Sequence, residues 1–331
     1  MPRIVNDSDF IAAWQRLKKA TLVAKKLGLS VRTVYERRRT MEARYGVALG
    51  AMNPIVGTGV KSEAGKAANA LAVARAEKYE KEMHDTLTDG VVLVASDCHY
   101  WPNIVTEAHQ AFCRLAKTLK PAMVVLNGDI LDGARISRHP RIMWEQQPLL
   151  KDEIHAVQDR CGDIERAAPD AKLIRTIGNH DARFENYLSG RVTEVEGMPG
   201  STLLDYLPRW RAGWVLHINA QTDGWVAIRH RPVVGGIHAA YNSTLKAGIS
   251  YVHGHLHQLK VTPWSDYRGR RYGIDTGTMA EPNGPQFNYT EAGPANWASG
   301  FAVLTFKDGR LLPPELVVVD QGKAWFRGAA V

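Results

Sequence analysis

The sequence predicts an α/β protein with strands of mixed direction, preceded by a small all-α module. Three observations point there. From residue 91 onward, short apolar runs alternate with helical stretches, the pattern of a sheet flanked by helices. Five of those runs lead into Asp, Asn or His, and open α/β sheets gather their ligands at the carboxyl ends of strands. The first fifty residues differ in texture, being helical in period and strongly basic.

Residues 8–19 read as a helix that Ser8 can cap, with Phe10, Ile11, Trp14 and Leu17 at helical spacing. Leu22, Val23 and Leu27 give a second, short helix; Gly28 can take the turn, and Ser30 can cap a third helix. That third helix is expected to turn Val31, Val34 and Tyr35 inward and to leave Arg32, Thr33, Arg37, Arg38 and Arg39 exposed. The spacing of Ala24, Gly28 and Val34 suits two helices packed around a tight turn, so residues 1–47 resemble a helix-turn-helix DNA-binding domain. Charge points the same way. Residues 1–50 hold eleven Lys/Arg against four Asp/Glu, a net +7 of the chain's +8. A compact basic module on a nearly neutral body suits a polyanion. In that reading Arg37, Arg38 and Arg39 meet phosphates while Arg32 and Thr33 reach base edges. The alternative is a three-helix bundle that binds protein or simply carries a solvated basic face.

Residues 48–90 read as a linker: a glycine-rich arm over 46–62, then an Ala/Glu/Lys-rich connecting helix over 63–84. The third region, 91–331, opens with the strand VVLVAS (91–96), followed by AMVVLN (122–127), AKLIRTIG (171–178), WVAIRH (225–230) and ISYVHG (249–254). Helices over 103–119 and 145–167 separate the first three.

With 331 residues, 45% hydrophobic and 23% charged, the chain has the composition of a soluble globular protein. The start, MPRIVNDSDF, lacks an apolar signal core, and no run approaches the length of a membrane span. Cys98, Cys113 and Cys161 are odd in number and lack CxxC spacing, which argues against a disulfide framework or a Cys-rich zinc site. A cytoplasmic location is expected, the host's cytoplasm if the chain is phage-encoded. No membrane partner is expected, and the oligomeric state is not readable.

The chemistry-bearing residues, in order, are Asp97-Cys98-His99, Gly128-Asp129 with Asp132, Gly178-Asn179-His180-Asp181, His230, and Gly254-His255-Leu256-His257. Alone, a DxH or a His at a strand end is usually structural. Together they supply carboxylates, imidazoles and an amide oxygen, the mixture that two divalent ions sharing a carboxylate bridge require. In the fourth block His230 competes with His238, which reads as the start of a helix. His253 is expected to point into the core, and Cys98 to pack inward rather than act as a nucleophile.

This set resembles the calcineurin-like metallophosphoesterase superfamily, whose pattern is DxH, GDxxD, GNHD/E, H and GHxH, over about residues 91–280. The wider texture, including SDCHYW, ISRHPR and WASGFAVLTF, looks like versions found in phage and prophage genomes. The resemblance implies a sandwich of mixed β-sheets flanked by helices. It implies one metal site at Asp97, His99, Asp129 and His257, and a second at Asp129, Asn179, His230 and His255. His180 would act on the leaving oxygen and Asp181 would orient it; Asp132 would support the site or cap its loop. Arg231-Pro232 stands where the family usually has Gly after the fourth-block His, a departure that bears on the local loop. Arg135, Arg138, His139 and Arg183 are candidates for substrate phosphates. Two divalent ions are implied, Mn²⁺ first, with Fe, Ni²⁺ or Zn²⁺ as alternatives. The expected activity is phosphodiester hydrolysis on DNA delivered by the basic module. The alternatives are a phosphoprotein or small-molecule phosphatase that uses the module for localisation, and a DNA-binding regulator whose metal site is residual.

Overall fold

The computed structural model describes residues 5–45, 79–139, 141–291, 293 and 295–331. The chain divides into two compact units, Met1–Leu71 and Ala72–Val331. The glycine-rich arm and most of the expected connecting helix lie outside the described residues.

In the first unit, α1 (Asp7–Leu17), α2 (Ala20–Leu27) and α3 (Val31–Tyr45) enclose a small core of Phe10, Trp14, Val23, Ala24, Val34 and Met41. Asn6, not Ser8, caps α1 by accepting from the Asp9 amide at 2.7 Å. Gly28 ends α2 in the left-handed region at φ 68°, where a side chain would be strained. Ser30 Oγ accepts from the Thr33 amide at 3.0 Å and so caps α3. The inward face of α3 is narrower than the sequence suggests. Val34 and Met41 are buried, whereas Val31 and Tyr35 are 40% and 50% exposed. Val34 and Met41 lie seven residues apart, two turns on one stripe. The flanking positions carry Arg37 and Arg38, which are half-buried rather than solvent-facing. Arg37 Nη2 pairs with Asp7 Oδ1 at 2.9 Å and donates to the Val5 carbonyl. Its guanidinium lies over the Phe10 ring, and that of Arg38 lies over Trp14. Cationic heads with long apolar stems cover aromatic core edges well. Arg32 and Thr33 are exposed, with Arg32 paired to Glu36; the Arg39 side chain lies outside the described residues.

Among the described residues the second unit is built on one sheet of fourteen strands. Its centre is the parallel set β2 (Gly90–Ala95), β3 (Met123–Asn127), β4 (Lys172–Thr176) and β5 (Arg211–Ile218). β10 (Gly300–Lys307) runs antiparallel beside β2. Beyond β5 come β6 (Val226–Ile228), antiparallel to it, then β7 (Ser250–His253), β9 (Gly269–Asp275) and the edge strand β8 (Lys260–Asp266). On the other side β12 (Glu315–Asp320), β13 (Lys323–Phe326) and β14 (Ala329–Ala330) extend the sheet from β10, and β11 (Arg310–Leu311) pairs with β10.

Both faces of the central strands are buried, which explains their continuous apolar runs. Val92 and Val94, with Met123 and Val125, face one core; there they meet Leu216, Ile228, Val252 and Ile274 from the β5–β9 half of the sheet. The sheet therefore folds over on itself as a sandwich. Leu93, Ala95, Val124 and Leu126 face the other core, covered by α4 (Glu107–Leu119) and α5 (Leu150–Ala167) through Phe112, Leu115, Ile154, Val157 and Ile164. Among the described residues, no helix is long and apolar enough to cross a membrane.

The expected boundary at residue 90 and the tail of the expected helix are corrected here. Residues Glu80–Asp85 form a strand, β1, paired in parallel with β5. Its composition favours a helix, but pairing and packing decide such segments. β5 is held by β4 over Arg211–Gly213 and by β1 over Gly213–Ile218. A Cβ at Gly213 would lie 2.5 Å from the Glu80 carbonyl oxygen, so only glycine passes there. Arg211 clamps Glu80 with two bonds of 2.7 Å, and Met83 is fully buried. Met83→Ala is therefore expected to cost the second unit about 2–5 kcal/mol. Urea unfolding checks this; an unchanged midpoint would make 80–85 a dispensable linker.

Candidate metal centre

The loops that follow β2, β3, β4, β6 and β7 converge at one place, and backbone bonds hold them there. The Asp97 amide donates to Gly128 O, His99 N to Asp129 O, and Gly254 N to His230 O, at 2.9–3.0 Å. Tight convergence shows in the backbone angles. Asp97, His99, Asp129, His255 and His257 all have positive φ, between 40° and 70°, a region costly for any residue with a side chain. The glycine of each motif has a steric reason. A Cβ at Gly178 would lie 2.0 Å from Asp129 Oδ1, one at Gly254 2.3 Å from Asp97 Oδ2, and one at Gly128 2.6 Å from the His230 ring. Two carboxylates and an imidazole sit where those side chains would be.

Two clusters of ligand atoms result. Asp97, His99 and His257 form one, and Asp129, His230 and His255 the other, with the atoms of each within 4.8 Å of one another. His257 Nε2 lies 3.0 Å from Asp97 Oδ1. His230 Nε2 lies 3.1 Å from Asp129 Oδ2 and 3.2 Å from Asn179 Oδ1. Among the described residues His99 Nε2 is buried with no hydrogen-bond partner, and a buried polar atom left so calls for a partner such as an ion or water. His230 Nδ1 donates to the Asn127 carbonyl at 2.9 Å, fixing the ring with Nε2 inward. Phe287 and Trp297 wall the first cluster, at 5.1 Å from the His99 ring and 4.8 Å from the His257 ring.

The electrostatics fit this mixture. Burial works against the Asp97 carboxylate, but the His257 and His230 imidazoles outweigh it and hold its pKa well below the usual range. Asp129 is likewise lowered against burial, chiefly by His230 and His180. Burial disfavours a charged His230, yet Asp129 and Asp97 push it up to about 10. His255 goes the other way, down to about 4, through burial and the nearby His230. Beside the same pair of carboxylates the two imidazoles are thus shifted in opposite directions.

A third cluster joins His99, Asp132 and His180. Asp132 Oδ1 lies 3.0 Å from His99 Nδ1 and 3.1 Å from His180 Nδ1. Asp132 is therefore the carboxylate that orients both rings. Asp181 does not orient His180, contrary to expectation. It is buried and accepts four backbone amides, those of Asp129, Ile130, Leu131 and Gly178, at 2.9–3.2 Å. His180 has its Nδ1 facing acceptors and its Nε2 facing Arg183 Nη2 at 3.0 Å. Burial lowers its pKa, Asp129 and Asp132 raise it, and on balance it is raised.

The remaining expectations divide. His230 is 1% exposed and within the site, while His238 is exposed at the start of α7 (Ala239–Ala247). His253 is buried, bonded to the Gly254 carbonyl at 2.7 Å and outside both ligand clusters. Cys98 is buried and free. Arg138, His139 and Arg183 line cavities at the rim, whereas Arg135 is bonded to the Gln147 carbonyl and lines neither. Sequence reasoning missed Asn127, Phe287 and Asp275. Asp275 lies beneath the GHxH turn, accepting from the Gln258 and Gly277 amides, and burial pushes it up to about 7. Nothing in the sequence marks these three, because each acts through a contact with a segment distant in the chain.

Comparison with known proteins adds a family. A family model described as calcineurin-like phosphoesterase matches residues 90–273, more than half of the chain. The Gene 54 proteins of Mycobacterium phages L5 and D29 are each 28% identical, over 225 and 222 residues, covering 62% of this chain and 84% of theirs. Among solved structures, the zinc complex of Vps29 from Entamoeba histolytica matches at a TM-score of 0.40 and 14% identity, covering 72% of this chain and 98% of that one. The phosphoesterase YfcE from E. coli matches at 0.30 and 14%, covering 70% and 100%.

The clamp on Asp181 is open to test. Asn in its place would turn an amide NH₂ toward converging N–H donors, and Asp181→Asn should cost about 2–4 kcal/mol in urea unfolding. A cost below about 1 kcal/mol would show that the four amides do not depend on the carboxylate.

Proposed function

The chain belongs to the calcineurin-like phosphoesterase family, and from that premise we propose that it is a two-metal phosphodiesterase that acts on DNA. The observation that carries the metal reading is the pair of largely buried ligand clusters, each mixing carboxylate with imidazole. Asp97, His99, Asp129 and His257 hold one ion in this reading; Asp129, Asn179, His230 and His255 hold the other. The orphaned His99 Nε2 and the mixed nitrogen and oxygen donors fit Mn²⁺, with Fe, Ni²⁺ or Zn²⁺ as alternatives, better than Ca²⁺. Bound ions supply a water of lowered pKa and neutralise charge on the phosphoryl oxygens.

The chain's own residues do the rest. Asp132 holds the His180 ring through Nδ1 and leaves Nε2 as the nitrogen that serves the leaving oxygen. Arg183 occupies Nε2 and also donates to the Asp132 carbonyl. A phosphoryl group drawing Arg183 away would free Nε2 to carry the proton. DNA is favoured over a phosphoprotein or small ester by the net +7 of residues 1–50, a charge excess suited to a polyanion.

His180→Ala should keep both ions yet lose about 10²–10⁴-fold in rate. The loss should shrink for p-nitrophenyl esters, whose leaving group needs no proton. Equal losses on good and poor leaving groups would remove His180 from that role.

Deleting residues 1–50 should flatten the salt dependence of DNA binding, by about 0.9 in slope for each phosphate that the module neutralises. Hydrolysis of bis-p-nitrophenyl phosphate should continue. Substituting Arg32 tests the same module more cleanly than substituting Arg37 or Arg38, because those two also cover Phe10 and Trp14. Unchanged DNA affinity after deletion would favour the phosphatase reading, with the basic module as a protein-binding element.

A further inference from the structure

Two cavities open beside the candidate centre and share Ser137, His139, Asn179 and Arg183. They therefore meet at the Asn179–His180 turn. One, of about 550 Å³, is walled by Trp101, Ile142 and Tyr289 and contains His180 and Asp132. The other, of about 400 Å³, has a different character. Arg138, Arg183, Arg191 and Arg231 line it, and no carboxylate does among the described residues.

The cationic lobe is laid out by the helix that starts at the catalytic turn. In α6 (Asp181–Arg191), residues 183, 187 and 191 recur every four positions and share one face. Arg183, Tyr187 and Arg191 all line the lobe. From 183 to 191 the helix rises about 12 Å, so the row leads away from the centre, well beyond the reach of a single phosphate. Arg191 lies over the Tyr187 ring at 5.5 Å, which makes a combined cationic and stacking surface. Arg231, the residue that stands directly after His230 in place of the family's usual glycine, also lines the lobe. Arg138, Arg191 and Arg231 pair with no carboxylate among the described residues, and all three are exposed. A small monoester would use none of them.

We propose that this lobe is a subsite for the phosphate adjacent to the scissile one in a single nucleic-acid strand, formed by Arg138, Arg191 and Arg231 along the Arg183 face of α6. The inference rests on the diesterase reading and sharpens it: the catalytic unit itself selects a polynucleotide strand, with the scissile diester at Asn179–His180, one flanking nucleotide against the aromatic lobe and the next phosphate among the arginines. Aromatic faces with cationic tracks are the general means of holding single strands without sequence preference.

The test uses the full chain with Mn²⁺ and three substrates: dithymidine monophosphate, and the same compound with an added 5′ or 3′ terminal phosphate. The better phosphorylated substrate should exceed the plain one in kcat/KM by about tenfold, the lower end for charge-assisted contacts at an exposed site. In the Arg191→Ala/Arg231→Ala double variant that ratio should fall to about one. The ratio does not depend on the fraction of active protein, so partial misfolding cannot imitate the result. If dithymidine monophosphate is cleaved but neither terminal phosphate helps, or the variant keeps the gain, the subsite is overturned and the diesterase reading stands. If both dithymidine monophosphate and bis-p-nitrophenyl phosphate resist while p-nitrophenyl phosphate is hydrolysed, the diesterase reading falls and the subsite falls with it.

Discussion

Four backbone amides converge on the carboxylate of Asp181, and the geometry of the centre depends on that convergence. Three of them belong to residues 129–131, after β3, and the fourth to Gly178, after β4. The carboxylate thus ties two neighbouring strand ends together at the point where both must turn sharply. Asp129 needs this support, because its backbone is held at φ 53°. Buried N–H groups without partners would add to that strain. With Asp181 in place, the Asp129 amide is satisfied and its side chain is free to face His230 and the His180 amide.

The sheet beneath makes such strain sustainable. β2 and β3 are packed on both faces, toward the helices and toward the folded-over half of the sheet. Their carboxyl ends therefore have little freedom to relax. Ligand geometry needs tolerances of a fraction of an ångström, and side chains at the ends of rigid strands meet that need better than side chains on free loops. The glycines at 128, 178 and 254 complete the arrangement by letting one loop's backbone approach another loop's carboxylate or imidazole.

Much of this was legible in the sequence, for physical reasons that can be named. Strands buried on both faces must be apolar throughout, so VVLVAS and AMVVLN stand out; ligands at their ends must be Asp, Asn or His, so the motifs are explicit. The features that escaped depend on contacts between distant segments. β1 looks helical by composition and becomes a strand because β5 offers it an edge. Arg37 and Arg38 look like surface charge and turn out to cover Phe10 and Trp14. Asp181 follows His180 directly, which suggests a partnership, but the start of α6 directs its carboxylate to the amides below while Asp132, forty-eight residues earlier, reaches the ring. Adjacency in sequence was the wrong guide there because neighbouring residues at a helix start point in different directions.

Burying Asp97, Asp129, Asp132 and Asp181 within one small volume would be untenable if each faced only apolar neighbours. Each is compensated in a different way, and the differences sort their roles. Asp181 is compensated by backbone amides, so it is fixed and contributes architecture. Asp132 is compensated by two imidazoles, so it can set the orientation of both His99 and His180. Asp97 and Asp129 are compensated largely by His257 and His230, whose Nε2 atoms occupy the side from which a cation would approach. A cation held at those carboxylates would take over the compensation that the two imidazoles supply, and the imidazoles would turn to it as ligands. The buried ion pairs are weak evidence of added stability; their value lies in keeping ionised carboxylates in place, facing one another across the centre.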